Sequence, residues 1–492
     1  MRHTPGCASP ARPPHASGGY TGARPWAGIA AVIRVAAIVT AVVTAALATP
    51  ASAADTAAED PFGDEPWPPA AGGAEATAQT GDVFGASPVE LYGSITTVGE
   101  TQLGEAGDPI RGEDLAIGTA TSARLKADWE PDERVLAHLE LVGQHRSGVL
   151  NPYTYAQAAG IDASATTALM ASNPQDDFAD TLYLDQAWAQ LRFERFDLQV
   201  GKQPIAWGTG YAFNPTARTH LSAGLAGFED DETPGTAAIS AGVPLLGSLV
   251  TEGYVAFEER THASFTTSRE VDPAFLPWGA RLRMPVGSFD VAVGAISEVV
   301  AGAASGARLE RYLHVAGETV GSIGDVGVYG EAAWTMPVWD APQAGAAPAD
   351  WNGLQALDST VGLEYVLPAD VEVKIEFYRR GRGATSPDAY DPAALLSGLT
   401  SVLARDYLFG YLGKTFLSYL DVSLAALTNL NDGSVLVYQQ NEYAVSDNLT
   451  VSLAGVVPTG TKDAELGGTR TIAGRDVRFV RPAVIARLEI SF

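Results

Sequence analysis

Between Gly201 and Thr216 the chain reads GKQPIAWGTGYAFNPT, which places an ammonium (Lys202), an amide (Gln203), an indole (Trp207) and an Asn-Pro-Thr turn within one short stretch. Donors, acceptors and aromatic surface at this density are what a ligand-contacting segment needs. They are equally what a loop needs to fix its own shape. Asn214 and Thr216 can close side-chain-to-backbone turns around Pro215, and Gly208 and Gly210 permit backbone angles closed to bulkier residues. Trp207 offers a large ring to bury against a wall. A conformational clamp is therefore the favoured role of this stretch, with direct substrate contact as the second.

The remaining chemistry-bearing residues are scattered. His138, His145, His220, His262 and His314 lie far apart in sequence, with no Gly-x-Ser-x-Gly elbow and no His-Glu-x-x-His metal spacing to organise them. The chain is read as a non-enzyme without cofactor or metal, and a barrel hydrolase stays as a lesser alternative. Cys7 is the one cysteine. It precedes the apolar run described next, so no thiol chemistry is expected of the exported chain.

Arg2, Arg12, Arg24 and Arg34 come before the uncharged run Val35 to Ala48, and Ala51-Ser52-Ala53 supplies small residues for cleavage. Residues 1–53 thus read as a secretory signal peptide, because the run is shorter than the roughly twenty residues of a spanning helix. Residues 54–86 are rich in Ala, Pro, Gly and acids and lack apolar periodicity, as expected of a disordered linker. The chain has 31 Lys and Arg against 58 Asp and Glu, and removal of the four leader arginines leaves 27 against 58, a balance of −31. That charge excludes nucleic acid as a partner held by phosphate contacts.

From residue 87 to 492 the elements that must position Gly201–Thr216 are strands. In VEVKIEFY, Val371, Val373, Ile375 and Phe377 alternate with Glu372, Lys374, Glu376 and Tyr378, the period-two pattern of a sheet with one apolar and one polar face. SARLKADW and GARLRM repeat it, with Arg124, Lys126, Arg281 and Arg283 on the polar side. About eighteen such segments (16 to 18) of roughly nine to fourteen residues match tilted membrane strands. Short connections such as Gly287-Ser288 and Pro368-Ala369 alternate with long ones such as Ser147 to Asp180 and Trp207 to Pro234. The tight NDGS, Asn431 to Ser434, is the exception. This rhythm predicts an all-β fold, a transmembrane antiparallel up-and-down β-barrel with short periplasmic turns and long extracellular loops. Trp129, Phe193, Phe196, Phe289 and Tyr365 beside the short turns fit an interfacial girdle.

The last strand, AVIARLEISF, alternates to a terminal Phe492. It resembles the signal by which bacterial outer-membrane barrels engage their assembly machinery. The stretch Leu184 to Thr216, with Gly-Lys-Gln, Trp-Gly and an aromatic before Asn-Pro-Thr, resembles a pattern in porin-like outer-membrane barrels and, more distantly, in alginate-export and capsule-assembly barrels. Those relatives commonly continue with an Asp where Ala217 and Arg218 follow here. The resemblance implies a bacterial outer-membrane location among lipid and lipopolysaccharide, and leaves a homotrimer open.

The expected function is passive, selective diffusion of small hydrophilic solutes, and a structural or polysaccharide-export barrel is the alternative. Pore-lining or constriction candidates are Arg124, Lys126, Gln186, Trp188, Gln190, Arg192, Gln203, Arg281, Arg283 and Lys374, together with the loop acids Glu229, Asp230, Asp231 and Glu232, for which a solvated outer loop is the favoured alternative. Trp207, Gly208, Asn214, Pro215 and Thr216 form the expected loop pin. Lys202 is ambiguous: parity groups it with Leu198 and Val200 on the lipid face, from which it could snorkel to an interface, unless Pro204 introduces a bulge.

Overall fold

A computed structural model describes residues 89–103, 115–150, 180–219, 233–245, 247–257, 276–301, 309–336, 356–391, 400–472, 475–478 and 480–492. These belong to one compact unit, Pro66–Phe492. The expected leader and linker, and Glu229 through Glu232, lie outside the described residues.

The chain runs through β1 (Val89–Leu103), β2 (Leu115–Asp132), β3 (Val135–Gly148), β4 (Asp180–Arg192) and β5 (Asp197–Gln203). It continues in β6 (Thr236–Pro244), β7 (Val250–Ala256), β8 (Trp278–Val286), β9 (Phe289–Ala301) and β10 (Leu309–Ile323). Then come β11 (Val326–Met336), β12 (Leu357–Leu367), β13 (Val371–Arg379), β14 (Asp406–Phe416) and β15 (Leu420–Asn429). After β16 (Val435–Ser446) and β17 (Leu449–Thr459), a small ribbon of β18 (Arg470–Ile472) and β19 (Arg475–Val477) precedes β20 (Ala483–Ser491). Apart from the ribbon, each strand pairs antiparallel with the next, and β20 pairs with both β17 and β1. Among the described residues the sheet therefore has eighteen strands and closes on itself. Strand lengths are more varied than expected, from seven residues in β5 to eighteen in β2. For eighteen tilted strands about 4.8 Å apart, the backbone diameter is roughly 35 Å.

Phe492 completes the closure. Its N–H donates to the Gly93 carbonyl at 2.9 Å, and the Gly93 N–H donates back at 2.8 Å. No sheet edge is left at this seam, as lipid requires.

The alternation of side chains has a physical outcome on each face. On β13, Ile375 is 50% and Phe377 38% exposed, while Glu376 between them is wholly buried on the inside. Leu125, Leu139, Val293, Val315, Val361 and Leu412 continue the outward apolar belt. Soluble proteins rarely keep contiguous apolar patches beyond about 600 Å², so this surface is suited to lipid. Trp129, Phe193, Phe196 and Tyr365 are exposed beside the short turns. On the inside, Phe409, Leu427, Leu436, Tyr438 and Ile485 pack with Val402, Leu403 and Leu466 from the long connections. One arc of the interior is thus filled by apolar side chains.

Lys202 departs from the position that parity gives it. It keeps register with Ala187 and Ala237, but it is only 4% exposed and its Nζ donates to the Leu184 carbonyl at 3.1 Å. The β3–β4 register shifts at this level, where Leu184 and Gln186 face consecutive β3 residues and Asp185 is the extra one. Preceding it, Gly201 has φ +125°, and a Cβ there would fall 2.2 Å from the Ala187 carbonyl oxygen. The bulge and the glycine let the ammonium fold onto the wall, so it does not reach toward an interface.

Candidate functional site

After Gln203 the chain leaves the wall and turns into the barrel. Ile205 packs with Ala238, Tyr254 and Ala256. Trp207 meets Tyr254 of β7 edge-on at 4.9 Å, and the Arg281 guanidinium lies 4.6 Å over the indole. The ring is therefore held between Tyr254 of β7 and Arg281 of β8.

Beyond Trp207 the backbone amides point at three carboxylates from other strands. Gly208 N–H donates to Glu318 of β10 at 3.0 Å. Thr209 and Gly210 N–H donate to Glu331 of β11 at 3.2 and 2.9 Å, and Thr216 N–H reaches its other oxygen at 3.0 Å. Tyr211, Ala212 and Phe213 N–H converge on Glu376 of β13, at 2.6, 3.2 and 2.9 Å, and Tyr329 adds its hydroxyl at 3.0 Å. Successive N–H groups that surround an anion make a strong, direction-specific cradle. Here the anion belongs to the wall and the cradle to the loop.

The cradle depends on a tight turn. Gly208 has φ +111°, and a Cβ there would fall 2.7 Å from Asn214 Oδ1. Ala217 N–H closes onto the Asn214 carbonyl at 3.1 Å, across the buried Pro215. The Thr216 hydroxyl was expected to close a local turn. It donates instead to Glu331 at 2.5 Å and to Glu318 at 3.3 Å, because a buried carboxylate is a stronger acceptor than a nearby carbonyl.

Aromatic packing completes the seat. The Phe213 ring stacks on Tyr378 at 4.3 Å, and its carbonyl accepts from Thr360 at 2.9 Å. Tyr211 sits 5.6 Å from both Phe409 and Tyr411, with Lys374 Nζ 4.0 Å over its ring. Arg218 then donates to Asp358 at 2.8 Å and lies 3.7 Å from Glu298. Burial opposes its charge, yet Glu298 and Asp358 outweigh that cost and push its guanidinium further up. From Trp207 to Arg218 the segment spans inner faces from β7 to β14.

The other candidates occupy two regions and a margin. Arg124 pairs with Glu140 at 2.8 Å, with Lys126 at 3.9 Å from the same carboxylate. Trp188 stacks on His138 at 5.3 Å and donates to Gln186 at 3.2 Å, and Gln190 lies in register between Leu136 and Gln199. Across the sheet, Arg281 bridges Glu252, at 2.6 Å, and Glu318, while Arg283 pairs with Asp290 at 2.8 Å. Lys374 pairs with Glu372 at 2.9 Å. Arg192 stands at the short-turn margin, 3.6 Å from Glu130. Gln203 is almost wholly buried, donating to the carbonyls of Gln199 and Ala238 and accepting from Ser240. It braces the wall and is closed to a solute.

Glu318 and Glu331 were not singled out in the sequence. Glu376 was placed on the interior by parity, but without its partners. The available signal was an acid at an inward position, and many positions share it.

His314 brings Thr335 to one ring nitrogen at 3.1 Å and Glu298 to the other at 2.9 Å. This is the order of nucleophile, base and orienting acid. All three are nearly inaccessible, and Arg218 covers Glu298, so the cluster acts as a clamp for the end of the loop.

The fold and site define a closed 18-stranded antiparallel barrel with a chain segment seated on its inner wall. No protein-family model and no curated protein matches the chain. Among solved structures, it is similar to a mutant of the Rhodopseudomonas blastica porin at 12% identity and a TM-score of 0.39, covering 82% of this chain and all of that one. It is also similar to Salmonella typhi OmpF in complex with daunomycin, at 10% identity and a TM-score of 0.39, covering 83% and 98%. Likeness at this level carries no information on solute or mechanism.

Proposed function

We propose that this chain is an outer-membrane channel for passive, selective diffusion of small hydrophilic solutes, with the segment after β5 narrowing its passage. The observation that carries the reading is that segment itself, fixed against Glu318, Glu331 and Glu376 inside a barrel whose outer belt is apolar. A seated loop reduces the aperture without closing the barrel, and polar walls keep the remainder wet.

The basic groups Arg124, Arg281, Arg283 and Lys374 each stand beside a carboxylate. Paired charges order water and leave no continuous basic path for anions, which supports weak selectivity toward cations. In this reading lipid and lipopolysaccharide surround the belt, and the strand ending in Phe492 is the part offered to the assembly machinery.

The test is single-channel conductance of the purified full chain in a planar bilayer under a salt gradient. Discrete, reproducible steps with a cation-side reversal potential are expected. Silence under every condition would refute the channel and leave a filled barrel with an assembly or export role. Neutralising Glu229 through Glu232 should move the reversal potential, and an unmoved value removes those acids from the selectivity filter.

A further inference from the structure

Inside the barrel, the seated segment holds an aromatic ring out to the lumen. Tyr211 is 41% exposed, although the backbone N–H of the same residue is fixed on Glu376 at 2.6 Å. Lys374 Nζ lies 4.0 Å over its ring, and Tyr411 of β14 stands 5.6 Å away with the two ring planes inclined by 50°. Tyr411 lies down along its own strand: a Cβ added at Gly413 would fall 2.5 Å from its hydroxyl oxygen and 2.8 Å from its ring. A glycine is what leaves room for a ring in that place. The two tyrosines therefore form a corner, with one side carried by the loop and the other lying on the barrel.

Beside the corner the inner surface is low. Glu372, Gly413, Ser423 and Gln440 align in one row across β13 to β16, on the inward face that Glu376, Phe409, Leu427 and Tyr438 define. A glycine and a serine thus stand between two long polar side chains, over three strand spacings or about 14 Å. The rim of this recess is rich in acceptors. The Glu372 side chain is 42% exposed and pairs with Lys374 at 2.9 Å. Asp421 is exposed on the same face of β15 as Ser423. Gln440 donates to Glu442 at 3.1 Å and accepts from the Tyr438 hydroxyl at 3.3 Å.

We propose that this recess binds a neutral ring sugar, one pyranose at a time, as the solute crosses the channel. The proposal deepens the channel reading above and rests on it for its role. Rigid aromatic surface held in water gains from a partner with an apolar face, and acceptors at the rim gain from hydroxyl donors. A pyranose carries both, because its C–H face stacks on a tyrosine ring while the hydroxyls at its edge reach the rim. Charge favours a neutral solute. Lys374 is matched by Glu372, so an anion gains little there and meets Asp421 and Glu442 nearby, whereas a cation meets the ammonium already over Tyr211. An open-chain polyol has the hydroxyls but no rigid face to stack.

The full chain, folded in a detergent without a sugar headgroup and checked by heat-modifiable gel mobility, is tested by saturation-transfer NMR with glucose, with its open-chain counterpart sorbitol, and with choline. Transfer to the ring C–H protons of glucose about fivefold or more above that to sorbitol and choline is expected. Tyr211→Leu on the loop and Tyr411→Leu on the barrel should each lower the glucose signal about fivefold or more, and Tyr411→Phe, which keeps the ring, should retain it. The two leucine variants lie on different elements, so a folding failure in one leaves the other to decide. Bilayer conductance is measured on the same preparation. Glucose binding without conductance refutes the channel and leaves the sugar site standing, whereas conductance without preferential transfer to glucose overturns the sugar site and leaves the channel. A glucose signal that survives both leucine substitutions lies elsewhere and overturns the proposal. Stronger transfer to choline assigns the corner to organic cations and overturns it as well.

Discussion

Replacing Glu376 by glutamine is the sharpest perturbation of the seated loop. In the wild type, Oε2 accepts from Tyr211 N–H at 2.6 Å and from Tyr329 at 3.0 Å, and Oε1 accepts from Phe213 N–H at 2.9 Å, with Ala212 N–H shared between them. Glutamine keeps one acceptor oxygen and turns an NH₂ toward at least one backbone N–H. The loss combines the charge assistance of several bonds with at least one orphaned buried amide, together about 3 kcal/mol. That raises the unseated population of the loop roughly a hundredfold. Hydrogen exchange in lipid discs reads it directly, as a loss of protection of about that factor at Tyr211, Ala212 and Phe213. Single-channel records should show more frequent excursions to a higher conductance level. Glu489→Gln is the control, because Glu489 pairs with Arg487 of its own strand, β20, at 3.1 Å. If exchange at the three amides changes by less than threefold in Glu376→Gln while the barrel stays folded, the amide cradle does not hold the loop.

Gly362→Ala should destabilise the same region from beneath, because a Cβ at Gly362 would fall 2.0 Å from the Tyr329 ring. The expected cost is about 1–3 kcal/mol, seen as a lower unfolding temperature in detergent, and an unchanged temperature would show that Tyr329 yields freely. Deleting Phe492 removes both closing bonds to Gly93 and should slow refolding into vesicles while leaving the conductance of the folded fraction intact, and equal refolding rates would refute a closing role. A third expectation concerns Glu465, which accepts from Leu403 N–H at 2.6 Å, Tyr407 at 2.5 Å and Asn429 at 2.7 Å in the long-loop cap. Burial, reinforced by the charge of Asp432, pushes its carboxyl up, against the downward pull of the bonds from Tyr407 and Leu403. A raised acid stabilises the cap in its protonated form, fully in acid below the ordinary carboxylate range and progressively less as pH rises through the raised value. Intrinsic-rate-corrected exchange at Leu403 should therefore be slower at pH 4 than at pH 8, and Glu465→Gln should abolish the difference. The same pH profile in both proteins would refute this assignment.

Much of the site was hidden in the sequence for a geometric reason. The stretch Gly201–Thr216 announced itself, and its clamp role follows from the local chemistry of Gly208, Asn214 and Pro215. Its anchors did not, because Glu318, Glu331 and Glu376 lie more than a hundred residues downstream, on strands whose inward positions carry many acids. Nothing local marks which acid will meet an amide. Lys202 was left open in the sequence because a bulge suspends parity counting, and the irregularity lies at Asp185, with an unusual backbone at Gly201, where Pro204 was the expected source.

The sequence by itself determined the strands, their two faces and the closure of the barrel. Those depend on period-two alternation and turn spacing, both properties of neighbours along the chain. Only the tertiary structure decided where the loop after β5 goes and which carboxylates receive its amides. These depend on which strands closure places opposite one another, a relation between distant residues that no local pattern encodes.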